Sequence, residues 1–282
     1  MAATPSYARR RLGAELRKLR EATGLSHQRV AAECGWDGSK ISRIENAKVT
    51  LSRHDLYRLG HVYNVDDSEL GVLEGWLDDS RGPRWWSEFR SVLNASYEEY
   101  ISLESQSTRI VTGNSAAIPG ILQSRSYALA AVTASALVTD PEDAAALVDV
   151  RMRRQKILAG ESPVEYTAIL SAALLYMQTG GPSVLREQLL HLLEQSELPN
   201  VAIHVLPFES RVLINMGAVS ILDFPGPRNP SVVYIEFHDG ALFKDADRDV
   251  RRYRRGMEHT LTSTLSVKDS RALITARLDE LP

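Results

Sequence analysis

Leu12, Leu16 and Leu19 fall at i, i+4 and i+7, the spacing that lines apolar side chains along one face of a helix. Arg9, Arg10, Arg11, Arg17, Lys18 and Arg20 lie before that stripe or beside it, and Gly24 stops the helix. A second helix follows from Ser26 to Glu33. Ser26 stands at its N-cap, where a hydroxyl accepts an orphan backbone N–H, and Val30 and Cys34 face inward. Gly35 supplies a turn. Asp37 then caps a third helix, whose inner face is Ile41 and Ile44 and whose outward set is Ser39, Lys40, Ser42 and Arg43. Ser52 and Asp55 have capping-box spacing ahead of Leu56, Leu59 and Tyr63, and Ser68–Asp79 supplies a fifth helix. Residues 1–80 thus read as five helices, and the turn-rich Ser80–Arg84 reads as a linker.

Beyond the linker the pattern becomes mixed. Helices are expected at Tyr97–Ser107, after a cap at Ser124, at Pro141–Leu158 behind Asp140, at Ser183–Ser196, at Ala246 to about Leu265, and at Lys268–Leu281. Short apolar or alternating runs bounded by Pro, Gly or Asn predict strands at Thr108–Thr112, Val164–Leu170, Val201–Leu206, Ala218–Phe224 and Ser231–Phe237. Pro225–Pro230 reads as the turn between the last two, and Ala241–Lys244 as a short edge. Residues 81–282 therefore form an α+β domain with a small, largely antiparallel sheet.

Composition adds an asymmetry. The 282 residues carry a net charge of −3. Residues 1–60 hold 12 Lys+Arg against 6 Asp+Glu, while the rest hold 21 against 30. A small basic unit joined to a larger acidic one suggests that the first part meets a polyanion. No apolar run approaches the ~20 residues of a membrane-spanning helix. The N-terminus lacks the apolar core of a secretory signal, and the single cysteine, Cys34, excludes an intrachain disulfide. A cytoplasmic protein with no membrane association is the expectation. Cys34 reads as a small buried hydrophobe.

The outward set on the third helix suits DNA. A major groove admits one helix, and base edges are read there by short polar side chains and by arginine. Helix starts at His27 and Gly38 can offer N–H groups to phosphates. The stretch Gly24–Lys48, GLSHQRVAAECGWDGSKISRIENAK, resembles the helix-turn-helix of the phage-repressor-like (XRE/Cro) family, and WDGSKISRIE is similar to actinobacterial members in particular. The resemblance implies a λ-repressor-like five-helix domain. It implies base contacts from Ser39, Ser42 and Arg43, and phosphate contacts from His27, Gln28, Lys40, Asn46 and Lys48. Three positions depart from the family pattern. His27 replaces a usual glutamine, Gly38 leaves one readout position empty, and Ala47 replaces a glycine that is often left-handed. An alanine held left-handed is strained by roughly 1 kcal/mol, unless Asn46 takes that conformation instead.

Further on, WWSEFRSVLNASYEEYISLESQSTRI, IPGILQSRSYA, RMRRQKIL, LPNVAIHVLPF and SVVYIEF resemble segments of the domain that follows such helix-turn-helices in actinobacterial regulators. The resemblance implies a partner, a small protein encoded nearby. It does not supply a biochemical role for the domain. Members often carry an Asp-Glu pair after a VAVL-like strand; Ser171–Ala172 stand there in this chain.

Residues 81–282 contain no Gly-rich phosphate loop and no G-x-S-x-G elbow. His191, His204, His238 and His259 are scattered, and His54 and His61 lack a third ligand, so no metal, cofactor or catalytic residue is assigned. His238–Asp239 reads as a turn or edge pair more readily than as an acid/base pair, and the orientation of Glu236 is open. In RDVRRYRRG, Arg248, Arg251, Arg252 and Arg255 share a broad helical face. The ordinary reading is a solvated face paired with local acids; the sharper ones are an acidic-ligand site or an acidic patch on a partner. The sequence thus points to a non-enzymatic, sequence-specific transcription regulator acting as a homodimer on a near-palindromic duplex site, its second domain serving dimerisation and regulation by a small protein or ligand. The alternative is an enzyme or toxin-like second domain with the reader serving autoregulation.

Overall fold

The computed structural model describes residues 7–79, 85–135, 140–212, 217–226, 230–237 and 240–282. The chain divides into two compact units, Met1–Trp85 and Trp86–Pro282. The expected linker Ser80–Arg84 and the pair His238–Asp239 lie outside the described residues, as does the centre of the Pro225–Pro230 turn.

The first unit is all helical: α1 (Tyr7–Thr23), α2 (His27–Glu33), α3 (Gly38–Glu45), α4 (Arg53–Val62) and α5 (Asp67–Asp79). The three caps expected here form. Ser26 accepts from the Arg29 N–H at 3.2 Å, Asp37 from Ser39 at 2.6 Å and Ser52 from Asp55 at 2.9 Å. Gly24 and Gly35 take the left-handed turns at φ +70° and +64°. The core collects Leu12, Leu16, Val30, Cys34, Ile41, Ile44, Leu56, Leu59 and Tyr63, which the sequence pattern selects, together with Ala31 and with Leu73, Trp76 and Leu77 of α5; Leu19 of the same pattern packs at its edge, partly buried. Burial raises the Cys34 thiol above its ordinary range, which keeps it protonated and unreactive.

The second unit is α+β. Six strands run β1 (Arg109–Asn114), β2 (Glu165–Ser171), β3 (Val201–Leu206), β4 (Ala218–Asp223), β5 (Val232–Phe237) and β6 (Gly240–Lys244). Their order in the sheet is β3-β2-β1-β4-β5-β6. Pairings β1/β2 and β2/β3 are parallel, and β1/β4, β4/β5 and β5/β6 are antiparallel. The parallel half needs crossovers. These are α7 (Arg125–Ala134) and α8 (Pro141–Arg154) between β1 and β2, and α9 (Pro182–Gln195) between β2 and β3; α6 (Ala95–Glu104) precedes β1. Because side chains alternate along a strand, Val111, Ile169, Val219, Ile221, Val233 and Ile235 share one face. Val250 and Met257 of α10 (Asp247–Leu261) pack on that face. The opposite face carries Tyr166 and Tyr234, and the Tyr234 ring stacks on Tyr100 of α6 at 4.1 Å. The last helix, α11 (Val267–Asp279), packs against β3 and α9.

Candidate nucleic-acid interface

The two short helices α2 and α3 are joined by the turn Cys34–Asp37 and held from behind by Ile41 and Ile44, which are almost fully buried. A helix of eight residues is not stable by itself. This one is held by its caps and by a polar hub at its C-terminal end. The Glu45 carboxylate is only 4% exposed and takes three bonds: Arg20 Nε to Oε1 at 2.6 Å, Arg20 Nη2 to Oε2 at 3.1 Å, and His27 Nε2 at 2.9 Å. Glu45 thereby ties α3 to both α1 and α2. The hydrogen bond to Glu45 holds the Arg20 guanidinium above its ordinary pKa, so that side of the hub stays charged.

Three side chains of α3 and the Asn46 side chain at its C-cap form the outer ridge. Ser39, Arg43 and Asn46 recur at i, i+4 and i+7 and are exposed; Ser42 sits between them, half-buried. Asn46 Nδ2 donates to the Ser42 carbonyl at 2.7 Å and approaches its hydroxyl at 3.4 Å. Hydrogen bonds from the Ser39 hydroxyl and amide hold the Asp37 carboxyl below the usual range. Gln28 on α2 and Lys48 just after α3 are exposed. Gly38 leaves the start of α3 bare, with nothing within 4 Å of where a Cβ would stand.

Two expected phosphate contacts are already engaged within the protein. Lys40 falls on the flank of α3, not on its ridge. Its ammonium lies 3.7 Å from the centre of the Trp36 ring and 3.2 Å from Asp55 of α4. His27 is committed to Glu45. Both would have to leave an intramolecular partner to meet a phosphate. Trp36 is a local neighbour of Lys40, but Asp55 meets Lys40 only once α4 is folded, and Glu45 meets His27 only once α3 packs on α2, so those two pairs are not legible from spacing. The helix starts are also less open than the sequence suggests, since Ser26 and Asp37 occupy first-turn amides.

Ala47 takes the left-handed conformation itself, at φ +55°, while Asn46 stays at φ −92°. Its methyl is 2% exposed. Glycine there would relieve strain of roughly 1 kcal/mol and forfeit a buried methyl worth about 0.8 kcal/mol. Ala47→Gly is therefore expected to shift stability by less than about 1 kcal/mol, read as a nearly unchanged melting midpoint. A large drop would mean that methyl packing dominates.

The candidate groups of the second unit do not converge. His204 bonds the Leu265 carbonyl at 3.0 Å, half-buried His191 lies 3.8 Å from Glu194, and His259 is exposed. Burial lowers the His191 pKa, keeping that ring neutral. Glu236 is exposed near the end of β5, and the Ser171 hydroxyl accepts from the Ala173 N–H at 3.3 Å. Among the described residues no three His, Cys, Asp or Glu side chains come together as a metal site, and no helix is long and apolar enough to cross a membrane.

Comparison with known families gives two matches. A family model described as a domain of unknown function (DUF5753) matches residues 97–276, and one described as a helix-turn-helix domain matches residues 11–73. No curated protein matches the chain, and no solved structure does.

Proposed function

This chain belongs to the DUF5753 family and carries a helix-turn-helix domain ahead of that domain, and from those two facts we propose a sequence-specific DNA-binding transcription regulator of the phage-repressor-like (XRE/Cro), actinobacterial type. The observation that carries the proposal is the capped α3 with its exposed Ser39–Ser42–Arg43–Asn46 ridge, backed by a well-packed helical core. In this reading α3 enters the major groove. Arg43 pairs with a base edge, Ser39 and Ser42 read beside it, and Gln28, Asn46 and Lys48 hold phosphates. Lys40 acts mainly by clamping α3 to α4, and His27 by orienting Glu45.

A single short ridge with Gly38 blank offers few base contacts. Specific sites usually take two such readers about one helical turn apart. The protein therefore acts as a homodimer on a near-palindromic site, in the cytoplasm, with the DUF5753 domain supplying dimerisation and control by a small protein partner or a ligand. It is not an enzyme. The scattered histidines and the Ser171–Ala172 position support that reading over a catalytic second domain, which a turnover screen on the full chain would test.

Arg43→Ala is the direct test. Sites are first selected from a random duplex pool with the wild-type protein. The variant should then lose about 1–3 kcal/mol of preference at one base position while binding random DNA nearly as well. Lys48→Ala should weaken both alike. Equal losses on selected and random DNA for Arg43→Ala would remove it from the reading role.

A further inference from the structure

Helix α10 concentrates five arginines in a unit that is otherwise acidic: residues 86–282 hold 19 Lys+Arg and 24 Asp+Glu. Its inward side is fixed by Val250 and Met257, with Tyr253 and Leu261 packed beside them. Arg248, Arg252, Arg255 and His259 recur at i, i+4, i+7 and i+11, and at about 100° per residue they fall opposite that apolar stripe. All four are exposed. The neighbouring rows of the same helix are compensated. Arg251 reaches Asp247 at 3.4 Å, Arg254 reaches Asp223 at 2.6 Å and the Ser231 hydroxyl at 3.1 Å, and Asp249 takes Lys244 at 3.2 Å. Among the described residues no carboxylate stands within ion-pairing distance of Arg248, Arg252 or Arg255. The expectation that local acids pair this face therefore holds for Arg251 and fails for the other three arginines.

The chemistry of the ridge decides between occupants. Protein interfaces centre on desolvated apolar anchors and keep charge at the rim. Here charge is the centre, and no large apolar side chain shares the row. A phosphate backbone needs only cations in a line, and three guanidiniums spread over about 10 Å of helix supply them. We propose that the Arg248–Arg252–Arg255 ridge of α10 is a second DNA contact, gripping phosphates without regard to sequence while α3 reads bases. The proposal rests on the DNA-reading function above. Within an acidic unit that DNA would otherwise repel, this ridge is a surface that can face the duplex.

The test uses the full chain and a random-sequence duplex of about 40 base pairs, with binding followed across salt concentration. Each phosphate contact adds about 0.9 to the slope of log affinity against log salt, so R248Q/R252Q/R255Q should flatten that slope by about two to three units. Selected and random duplexes should lose affinity alike. The R248K/R252K/R255K chain should keep the wild-type slope, because a phosphate accepts a point charge where a bidentate carboxylate partner would not. Melting curves matching wild type would confirm that the exposed changes leave the fold intact. A wild-type slope in the glutamine variant overturns the proposal and leaves the α3 reading standing. Wild-type protein that binds no duplex overturns both. Loss of poly-glutamate binding with an unchanged DNA slope would assign the ridge to an acidic protein and likewise overturn it.

Discussion

Arg154→Leu is expected to leave the second unit about 3–5 kcal/mol less stable, enough to unfold a marginal domain. Arg154 ends α8 and is 5% exposed; Glu104 ends α6 and is 1% exposed. The pair is bidentate, with Arg154 Nη2 to Glu104 Oε1 at 2.6 Å and Nε to Oε2 at 2.7 Å, and Nη1 donates to the Tyr97 hydroxyl at 2.6 Å. The guanidinium carbon also lies 5.3 Å from the Tyr97 ring centre and 5.1 Å from that of Tyr100. Burial alone would lower the arginine pKa; Glu104 outweighs it and holds the value well above the ordinary one. Burial drives the Tyr100 and Tyr166 hydroxyls upward, so the surroundings stay neutral. Removing one ion strands the other without water, and that desolvation cost sets the magnitude. The double variant R154L/E104L removes both charges and should recover much of the loss. Chemical denaturation of the four chains measures the coupling. A single variant as stable as wild type, or a double variant losing the sum of both singles, would refute the account.

Gly13→Ala is expected to lower the melting midpoint of the helix-turn-helix unit by roughly 10 °C. Alanine in a helix interior normally gains about 1 kcal/mol over glycine. Here a Cβ on Gly13 would stand 2.7 Å from the carbonyl oxygens of both Ile44 and Glu45. Those are backbone atoms at the end of α3, and they cannot yield as a flexible side chain would. Overpacking of this kind costs typically 1–3 kcal/mol; two backbone oxygens at 2.7 Å put Gly13 at the upper end, about 3 kcal/mol, so the clash wins by about 2 kcal/mol. A domain of this size loses about 4–8 °C per kcal/mol. The same displacement shifts α3 against α1, so selectivity for chosen over random DNA should fall as well. A raised midpoint would show that helix propensity outweighs the contact.

These two sites mark where sequence reading stops. Gly13 lies within the helix that Leu12, Leu16 and Leu19 predict, and its only local signal is a glycine where alanine would serve a helix better. Arg154 sits in RMRRQK, which reads as a basic helix end complementing the dipole. The structure withdraws Arg154 from that role, because its partner Glu104 lies 50 residues earlier in the chain. Lys40 is the same lesson at the interface: its helix position and its neighbour Trp36 are local, but its partner Asp55 on α4 is not.

Local rules carried far along the chain. Every expected strand is present, and Ser26, Asp37, Ser52, Ser124 and Asp140 all cap as their side-chain chemistry dictates. Asn94, Asp66 and Ser266 also cap and carry the same signal. The α+β class, the two-helix reader and the ridge residues Ser39, Ser42 and Arg43 follow from periods of 3.6 and 2 and from caps, which depend on neighbours within four residues. The parallel half of the sheet, the burial of Arg154, the capture of Lys40 and His27, and the uncompensated ridge on α10 depend on which distant residues meet. Periodicity says which face a side chain occupies; only packing says what stands opposite it.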